Sequence, residues 1–484
     1  MSHQPIILKN LSVYFPHKTC FEHFSKQINY GSRIAIIGKN GSGKSTLLKI
    51  IQGLVEPSQG QVHVPHNTTF GYVPQVIDDH HDLSGGQRLN AALTAALAKD
   101  PSVLCLDEPT NHLDASNRKS LMRMLQAFHG TLIVVSHDVE LLRTCVDEIW
   151  HIDDEAITCF TGQYDDYVRE QHAALQAKIQ QRESLDKAQK KAKSAVQAEQ
   201  KRAAGSQRVN AYENDKVLRG AMKEKGARTA GKNSGKLNET KEHVDAQRKE
   251  LRLPEIITPK FSLTATQGGS KLLVTITNGV CGYKNPVLTN IHITIGPGER
   301  VAILGDNGSG KSTLFKAMQG DALVIRSGQW HVPKPDEIGY LDQHYGTLPP
   351  ESSVFEVIQH HVTGWTDADI RRHLNDFLFR KNEEVMAKVK TLSGGEKARI
   401  SLALIAAKTP KLLLLDEITN NVDLETREHI IEVLKEYPGA IMVISHDQDF
   451  LTRINIDKSY SIGDGELKST DLCQYQMLNI YQKT

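Results

Sequence analysis

Four short segments in the N-terminal third of this 484-residue chain return, in the same order, in its C-terminal half. GKNGSGKST at 38–46 comes back as GDNGSGKST at 305–313, and LSGGQ at 83–87 as LSGGE at 392–396. LCLDEPTNHLD at 104–114 comes back as LLLLDEITNNVD at 412–423, and VVSHD at 134–138 as VISHD at 443–447. The intervals agree too. Ser84 to Glu108 and Ser393 to Glu417 both span 24 residues, and Glu108 to His137 and Glu417 to His446 both span 29. Self-similarity of this kind fixes the architecture before any local reading: one domain, present twice. A single interval disagrees. Gln75 to Ser84 is 9 residues whereas Gln343 to Ser393 is 50, so the first copy lacks about 41 residues that the second possesses.

Each glycine-rich segment fits G-x-x-x-x-G-K-[ST], follows an apolar strand pattern (RIAIIG, RVAILG) and opens a helical one (TLLKIIQG, TLFKAMQG). That is the context a phosphate-cradling loop requires. Gly38, Gly41 and Gly43, and in the second copy Gly305, Gly308 and Gly310, let backbone N–H groups come close to phosphates, and the following helix adds its positive end. Lys44 and Lys311 would reach the β/γ-phosphates of ATP, Ser45 and Ser312 would ligate Mg²⁺, and Asn40, Thr46, Asn307 and Thr313 complete the two loops.

VLCLDE and LLLLDE read as central parallel strands buried on both faces. Two carboxylates at the end of such a strand are costly unless a cation compensates them. Asp107 and Asp416 are therefore placed on the Mg²⁺ shell, through water, and Glu108 and Glu417 on the attacking water; a helix N-cap pair is the bland alternative. His137 and His446, each closing another apolar strand, read as γ-phosphate sensors by their repetition at one spacing. Gln75 and Gln343 end short strands and offer an amide oxygen to Mg²⁺ or the water. Ser84-Gly85-Gly86 and Ser393-Gly394-Gly395 make anion-binding nests at helix starts, too far from their own domain's loop to serve its ATP. Each must serve another domain.

Together these residues resemble those of the ATP-binding-cassette superfamily, over nearly all of 5–165 and 270–475. The resemblance implies an α/β fold: two P-loop nucleotide-binding domains, each a mixed sheet flanked by helices plus an antiparallel β subdomain. It also implies that the two pack head to tail. One ATP would then lie between Lys44, Gln75, Glu108 and His137 on one side and Ser393, Gly394 and Gly395 on the other. The second would lie between Lys311, Gln343, Glu417 and His446 and Ser84, Gly85 and Gly86. Phe15 and Tyr283 match the family's adenine-stacking aromatic, with Tyr14 a competitor and core packing the alternative. The second copy has Ile418 for Pro109 and Asn421 for His112, which puts equal turnover at the two sites in question.

Between the copies the composition changes. Residues 171–252 hold 20 Lys+Arg against 10 Asp+Glu, while the remainder holds 38 against 47, so a net charge of +1 conceals a basic middle between acidic ends. From Gln163 to Ala204 run 42 residues without Gly or Pro, rich in helix formers, which predicts a rod on the order of 60 Å. A shorter helix is expected from about 237 to 251, ahead of Pro254. The glycine-punctuated stretch between them carries Arg208, Lys216, Arg219, Lys223, Lys225, Arg228, Lys232 and Lys236. We read it as a helical hairpin with a basic, RNA-binding tip; a merely solvated linker is the alternative. Tyr212 is the single aromatic near that tip, so backbone and shape recognition is expected rather than base stacking.

Two cassettes on one chain joined by a basic hairpin look like the ABC-F family of ribosome-associated ATPases. Domains are thereby expected at 1–165, 166–256 and 257–484, the first cassette having a much reduced helical subdomain. The resemblance implies a ribosomal partner at the tRNA exit site, with ribosomal RNA and tRNA as contacts and the hairpin near the peptidyl-transferase centre. The shortened first cassette and the absence of an extension beyond about residue 475 are similar to the antibiotic-resistance branch, with a housekeeping translation factor as the alternative. No apolar run of ~18 residues and no leader pattern occur, so a cytoplasmic monomer pairing its own cassettes is expected. A transporter's energy-coupling subunit is a further alternative, disfavoured by the lost helical subdomain and the hairpin. The six scattered cysteines encode neither a disulfide frame nor a metal site.

Overall fold

The computed structural model describes residues 4–16, 18–75, 85–111, 113–206, 243, 245–247, 272–342, 345–346, 348–419 and 422–470. It divides into two compact units, Met1–Tyr164 with Ile257–Thr484, and Asp165–Ile256.

In the first unit each copy starts with antiparallel strands: β1 (Ile6–Phe15), β2 (Lys18–Ile28) and β4 (Gln59–His63), then in the second copy β10 (Val274–Gly282), β11 (Pro286–Ile295) and β13 (Ile325–His331). The central sheet of the first copy has the order β5 (Phe70–Val73), β6 (Val103–Asp107), β7 (Thr131–Val135), β3 (Arg33–Gly38), β8 (Glu148–Asp153), β9 (Ala156–Thr161). Its counterpart runs β14 (Ile338–Leu341), β15 (Leu412–Asp416), β16 (Ala440–Ile444), β12 (Arg300–Leu304), β17 (Lys458–Gly463), β18 (Glu466–Thr470). The order is the same in both, parallel except for the last hairpin. This is the α/β cassette fold that the repeat predicts. In the second copy a single parallel pair, Thr289 with Glu466, merges the antiparallel strands into a 9-stranded sheet.

Every residue of β6, β7, β15 and β16 is buried, as continuous apolar runs require of central strands. Register does the rest: Asp107 lies opposite Val135 and Asp416 opposite Ile444, so the acidic strand end and the histidine that follows the neighbouring strand arrive at the same edge. The helices α1 (Lys44–Ile51) and α6 (Lys311–Gln319) leave the phosphate-loop turns, α2 (Gly85–Leu97) and α10 (Gly394–Lys408) the signature turns. Asp114 and Asp423 cap α3 (Ala115–Ala127) and α11 (Leu424–Lys435), while Asp138 and Asp447 cap α4 (Val139–Cys145) and α12 (Gln448–Arg453). Each accepts from N–H groups that a helix start leaves unpaired.

The unequal interval has a structural counterpart. Between β14 and α10 the second copy carries three more helices, α7 (Val354–Gln359), α8 (Asp367–Asp376) and α9 (Asn382–Met386), started by capping boxes such as Ser353 with Glu356 and Thr366 with Asp369. The first copy has only residues 76–84 between Gln75 and α2, and these lie outside the described residues.

The second unit contains α5, a 43-residue helix that begins at Tyr164 and runs to Ser206. His243 and Asp245–Gln247 are helical as well, and Gln189 Nε2 donates to Asp245 Oδ1 at 2.5 Å, so two helical segments far apart in sequence are joined side by side. The basic residues at 208, 216, 219, 223, 225, 228, 232 and 236 lie outside the described residues.

Candidate nucleotide sites

The two glycine-rich loops fold alike because each needs glycine at the same points. Gly38 has φ 146°, and a Cβ there would lie 2.5 Å from the Ile152 carbonyl oxygen; Gly305, at φ 144°, meets Ile462 O at 2.9 Å. Lys44 Nζ donates to the carbonyls of Gly38 (2.8 Å) and Lys39 (3.0 Å), and Lys311 Nζ to those of Gly305 and Asp306 (both 2.8 Å). Both lysines are buried. Burial holds their pKa values below the usual lysine range against the pull of nearby carboxylates, Glu108, Asp423 and Asp107 for Lys44, and Glu417 and Asp416 for Lys311.

Ser45 Oγ donates to Asp107 Oδ1 at 3.1 Å, and Tyr340 OH donates to Asp416 Oδ2 at 3.4 Å. Burial raises the pKa of both aspartates. Glu108 and Glu417 sit at φ 49° and 50°, a left-handed conformation that non-glycine residues rarely adopt and that collects at functional sites. Their amides bond back to Val135 O (2.8 Å) and Ile444 O (2.9 Å), which holds the turn. Their carboxylates reach the histidines, Glu108 Oε1 to His137 Nε2 at 3.4 Å and Glu417 Oε1 to His446 Nε2 at 3.7 Å. Burial drives the Glu108 pKa up and both histidine values down, that of His446 to about 4, so the imidazoles are neutral near pH 7.

On the first loop these groups enclose a cavity of about 370 Å³ lined by Phe15, Asn40, Gly41, Gly43, Lys44, Ser45, Thr46, Gln75, Glu108 and His137, together with Asn111 and Val135. Phe15 is half exposed on its wall, whereas the Tyr14 amide is tied to Ser58 Oγ at 3.0 Å. Glu108 Oε1 and both His137 ring nitrogens are buried without a hydrogen-bond partner among the described residues. A depressed lysine, raised carboxylates and unpartnered polar atoms around glycine amides fit a polyanion and its counter-cation, which would satisfy both signs of buried charge at once. On the second loop Gly308, Gly310, Ser312 and Thr313 repeat the turn, and Tyr283 is exposed at the end of β10. Ser84, Gln343 and Asn421 lie outside the described residues.

The copies meet head to tail. The Asn40 amide, in the first loop, donates to Asp423 Oδ2 at 3.1 Å, and Lys39 Nζ lies 3.0 Å from Glu425 Oε2, both carboxylates belonging to the second copy. Asp114 of the first copy is close enough to act on Lys311 and His446. Arg143 donates to Asp449 at 3.1 Å and Arg118 to the His446 carbonyl at 3.5 Å. The signature turns lean on the same helix starts. A Cβ on Gly395 would meet Thr426 Oγ1 at 3.0 Å, and one on Gly86 would meet Asn117 Nδ2 at 2.5 Å. Ser393 itself closes a capping box with Glu396, its N–H and Oγ both donating to Oε2 at 2.8 and 2.7 Å; Gly394 is the first residue of α10 and Gly85 of α2.

Asp423, Asn111, Lys18, Lys39, Glu425 and Asp449 were not singled out by sequence reasoning. Asp423 and Asp114 close the repeated acidic segment, a signal that was present without a role attached to it. The others are ordinary charged or polar positions with no motif around them.

Fold and sites together define a tandem-cassette P-loop ATPase. The ABC transporter family matches residues 21–79 and 288–420, and the family described as "AAA domain, putative AbiEii toxin, Type IV TA system" matches 79–143. The chain is 31% identical to the ribosome protection protein VmlR of Bacillus subtilis, over 94% of this chain and 86% of that protein. It is 28% identical to the ATP-binding protein Uup of Buchnera aphidicola (92% and 78%) and 29% to the probable ATP-binding protein YheS of Haemophilus influenzae (97% and 81%). Its fold is similar to that of the archaeal ribosome recycling factor aABCE1, solved in complex with the ribosomal stalk protein aP1, with TM-score 0.61, 17% identity and coverage of 97% and 92%. The chain belongs to the ABC-F family, and it is an ATPase that binds ATP. Among the described residues no helix is long and apolar enough to cross a membrane.

Proposed function

We propose that this ATPase works in the cytoplasm on the ribosome, as a monomer that enters the tRNA exit site and protects translation from antibiotics. Cassettes at 1–165 and 257–484 would set the pose of the segment 166–256, whose basic residues from Arg208 to Lys236 contact ribosomal RNA or tRNA near the peptidyl-transferase centre. The observation that carries this reading is a ten-charge basic surplus confined to residues 171–252 of an otherwise acidic chain, which favours phosphate contact by that segment alone. The kinship with a protein named for ribosome protection supports it.

At the proposed sites Lys44 and Lys311 hold the phosphates, Phe15 and Tyr283 stack on the adenine, and Ser393-Gly394-Gly395 and Ser84-Gly85-Gly86 close from the opposite cassette. Mg²⁺, bound with ATP, would neutralise charge developing on the phosphates. Ser45, Asp107 and Gln75, and Ser312, Asp416 and Gln343, are the residues that would hold it. Glu108 and Glu417 orient the attacking water, and neutral His137 and His446 donate a hydrogen bond toward the γ-phosphate. Because carboxylates of one cassette touch the loop of the other, occupancy favours the closed arrangement and hydrolysis releases it.

Replacing Glu108 and Glu417 together by Gln should preserve ATP binding and trap the protein on its target. In ATP, the double variant is expected to sediment with ribosomes; sedimentation at the top of the gradient, free of them, would sink the ribosomal reading.

A further inference from the structure

The two phosphate loops share their glycines, lysine and serine but not the charges beside them. Gly43 and Gly310 fix how the copies align. A Cβ on Gly43 would touch Cys20 (2.9 Å) and Phe21, and one on Gly310 would touch Val287 (2.8 Å) and Leu288. Cys20 therefore corresponds to Val287, and two residues earlier Lys18 corresponds to Asn285. Within the loops themselves Lys39 corresponds to Asp306.

The two lysines sit differently. A Cβ on Gly41 would lie 3.6 Å from Lys18 Nζ, which places that ammonium over the turn of the loop. Its charge works against the Lys44 ammonium in the same direction as burial, though less than the carboxylates Glu108, Asp423 and Asp107 work for it. Lys39 follows Gly38 and is tied to Glu425 of the other copy and to Asp153 (3.6 Å). Counting from the caps Asp423 and Asp114, the counterpart of Glu425 is Ser116, which carries no charge. Asp306 adds negative charge beside Lys311. Lys284, the nearest cation in sequence on that side, is in the exposed turn next to Tyr283.

We propose that the two sites hold nucleotide unequally: the Lys44 loop, flanked by Lys18 and Lys39, is the tight and slowly exchanging seat, and the Lys311 loop, flanked by Asn285 and Asp306, the fast one. This rests on the reading that both loops take ATP. A polyanion gains from the Lys18 ammonium on one loop and loses to the Asp306 carboxylate on the other, and the ion pair of Lys39 with Glu425 bridges the halves beside the slow seat. The fast seat then turns over while the slow one keeps the halves engaged.

The test uses the full chain with Glu108→Gln and Glu417→Gln, loaded with a fluorescent methylanthraniloyl ATP and chased with unlabelled ATP. Release should occur in two phases of equal amplitude. Lys18→Asn with Lys39→Ser should quicken the slow phase about tenfold at low salt and leave the fast one unchanged. Lys18→Asn alone, which removes no ion pair with the other half among the described residues, should give part of that effect. Asn285→Lys with Asp306→Lys should retard the fast phase. A single release phase in the parent, or a slow phase indifferent to Lys18 and Lys39, overturns the proposal. A chain that takes up no labelled nucleotide overturns instead the assignment of the loops.

Discussion

At the scale of single residues, the sites depend on backbone positions that few side chains tolerate. Gly38 is the sharpest case: any Cβ collides with a backbone carbonyl that belongs to the central sheet and has no room to retreat. Gly38→Ala should lose nucleotide at the first loop and cost about 1–3 kcal/mol of stability, the usual range for strain forced on one residue. Calorimetry and equilibrium nucleotide binding would check it; an unchanged melting temperature with intact binding at that loop would contradict the geometry. Such glycines were legible in the sequence because the loop pattern repeats and its flanks read strand then helix. Phe15 was named only beside a competitor, since Tyr14 is its neighbour on β1, and the fold puts Phe15 on the cavity wall. Lys18 and Lys39 were invisible for a different reason. A surface lysine carries no pattern, and its importance comes from what lies above it.

At the scale of elements, the helices that follow the acidic strands connect catalysis to packing. Two turns after Asp423, α11 carries His429, buried against Phe377 (ring centroids 6.3 Å) on the added helical layer, with its Nε2 unpartnered. Burial, and then the Arg399 charge, lower its pKa from 6.5 to about 4. Below pH 6.5 the unfolded chain takes up a proton there that the folded chain refuses, so stability is complete above that pH and declines as pH falls toward 4. The loss amounts to ~2–3 kcal/mol at the acid end. His429→Leu should flatten the fall in melting temperature between pH 6.5 and 4, leaving the part due to His137 and His446, whose values are lowered in the same direction. An identical pH profile in parent and variant would remove His429 from this account. A helical layer was expected there from an interval of 50 residues against 9, but not its division into three helices, because their capping boxes were not used, although Ser353-x-x-Glu356 is a recognisable start signal.

At the scale of the whole molecule, the head-to-tail meeting of the copies was implied by the family resemblance, to which the signature turns that cannot serve their own loop contribute. The contacts that carry it in the described residues are instead Asn40 with Asp423, Lys39 with Glu425 and Arg143 with Asp449. A residue's partner across an interface is set by three-dimensional docking, so no spacing in the chain reveals it. The basic middle segment adds an independent prediction. Replacing Lys216, Arg219, Lys223, Lys225, Arg228, Lys232 and Lys236 by Ala should leave ATP turnover within about twofold of the parent, while ribosome binding weakens steeply and loses its salt dependence. Turnover and pelleting at two salt concentrations would decide it, and unaltered pelleting would mean that the segment is only a tether. Asp423 has a quieter consequence. One of its oxygens starts its own helix through Thr426 and the other reaches across to Asn40, so parting the halves returns a single oxygen to water and leaves every turn of α11 wound. Separation at this contact asks nothing of the helix beneath it.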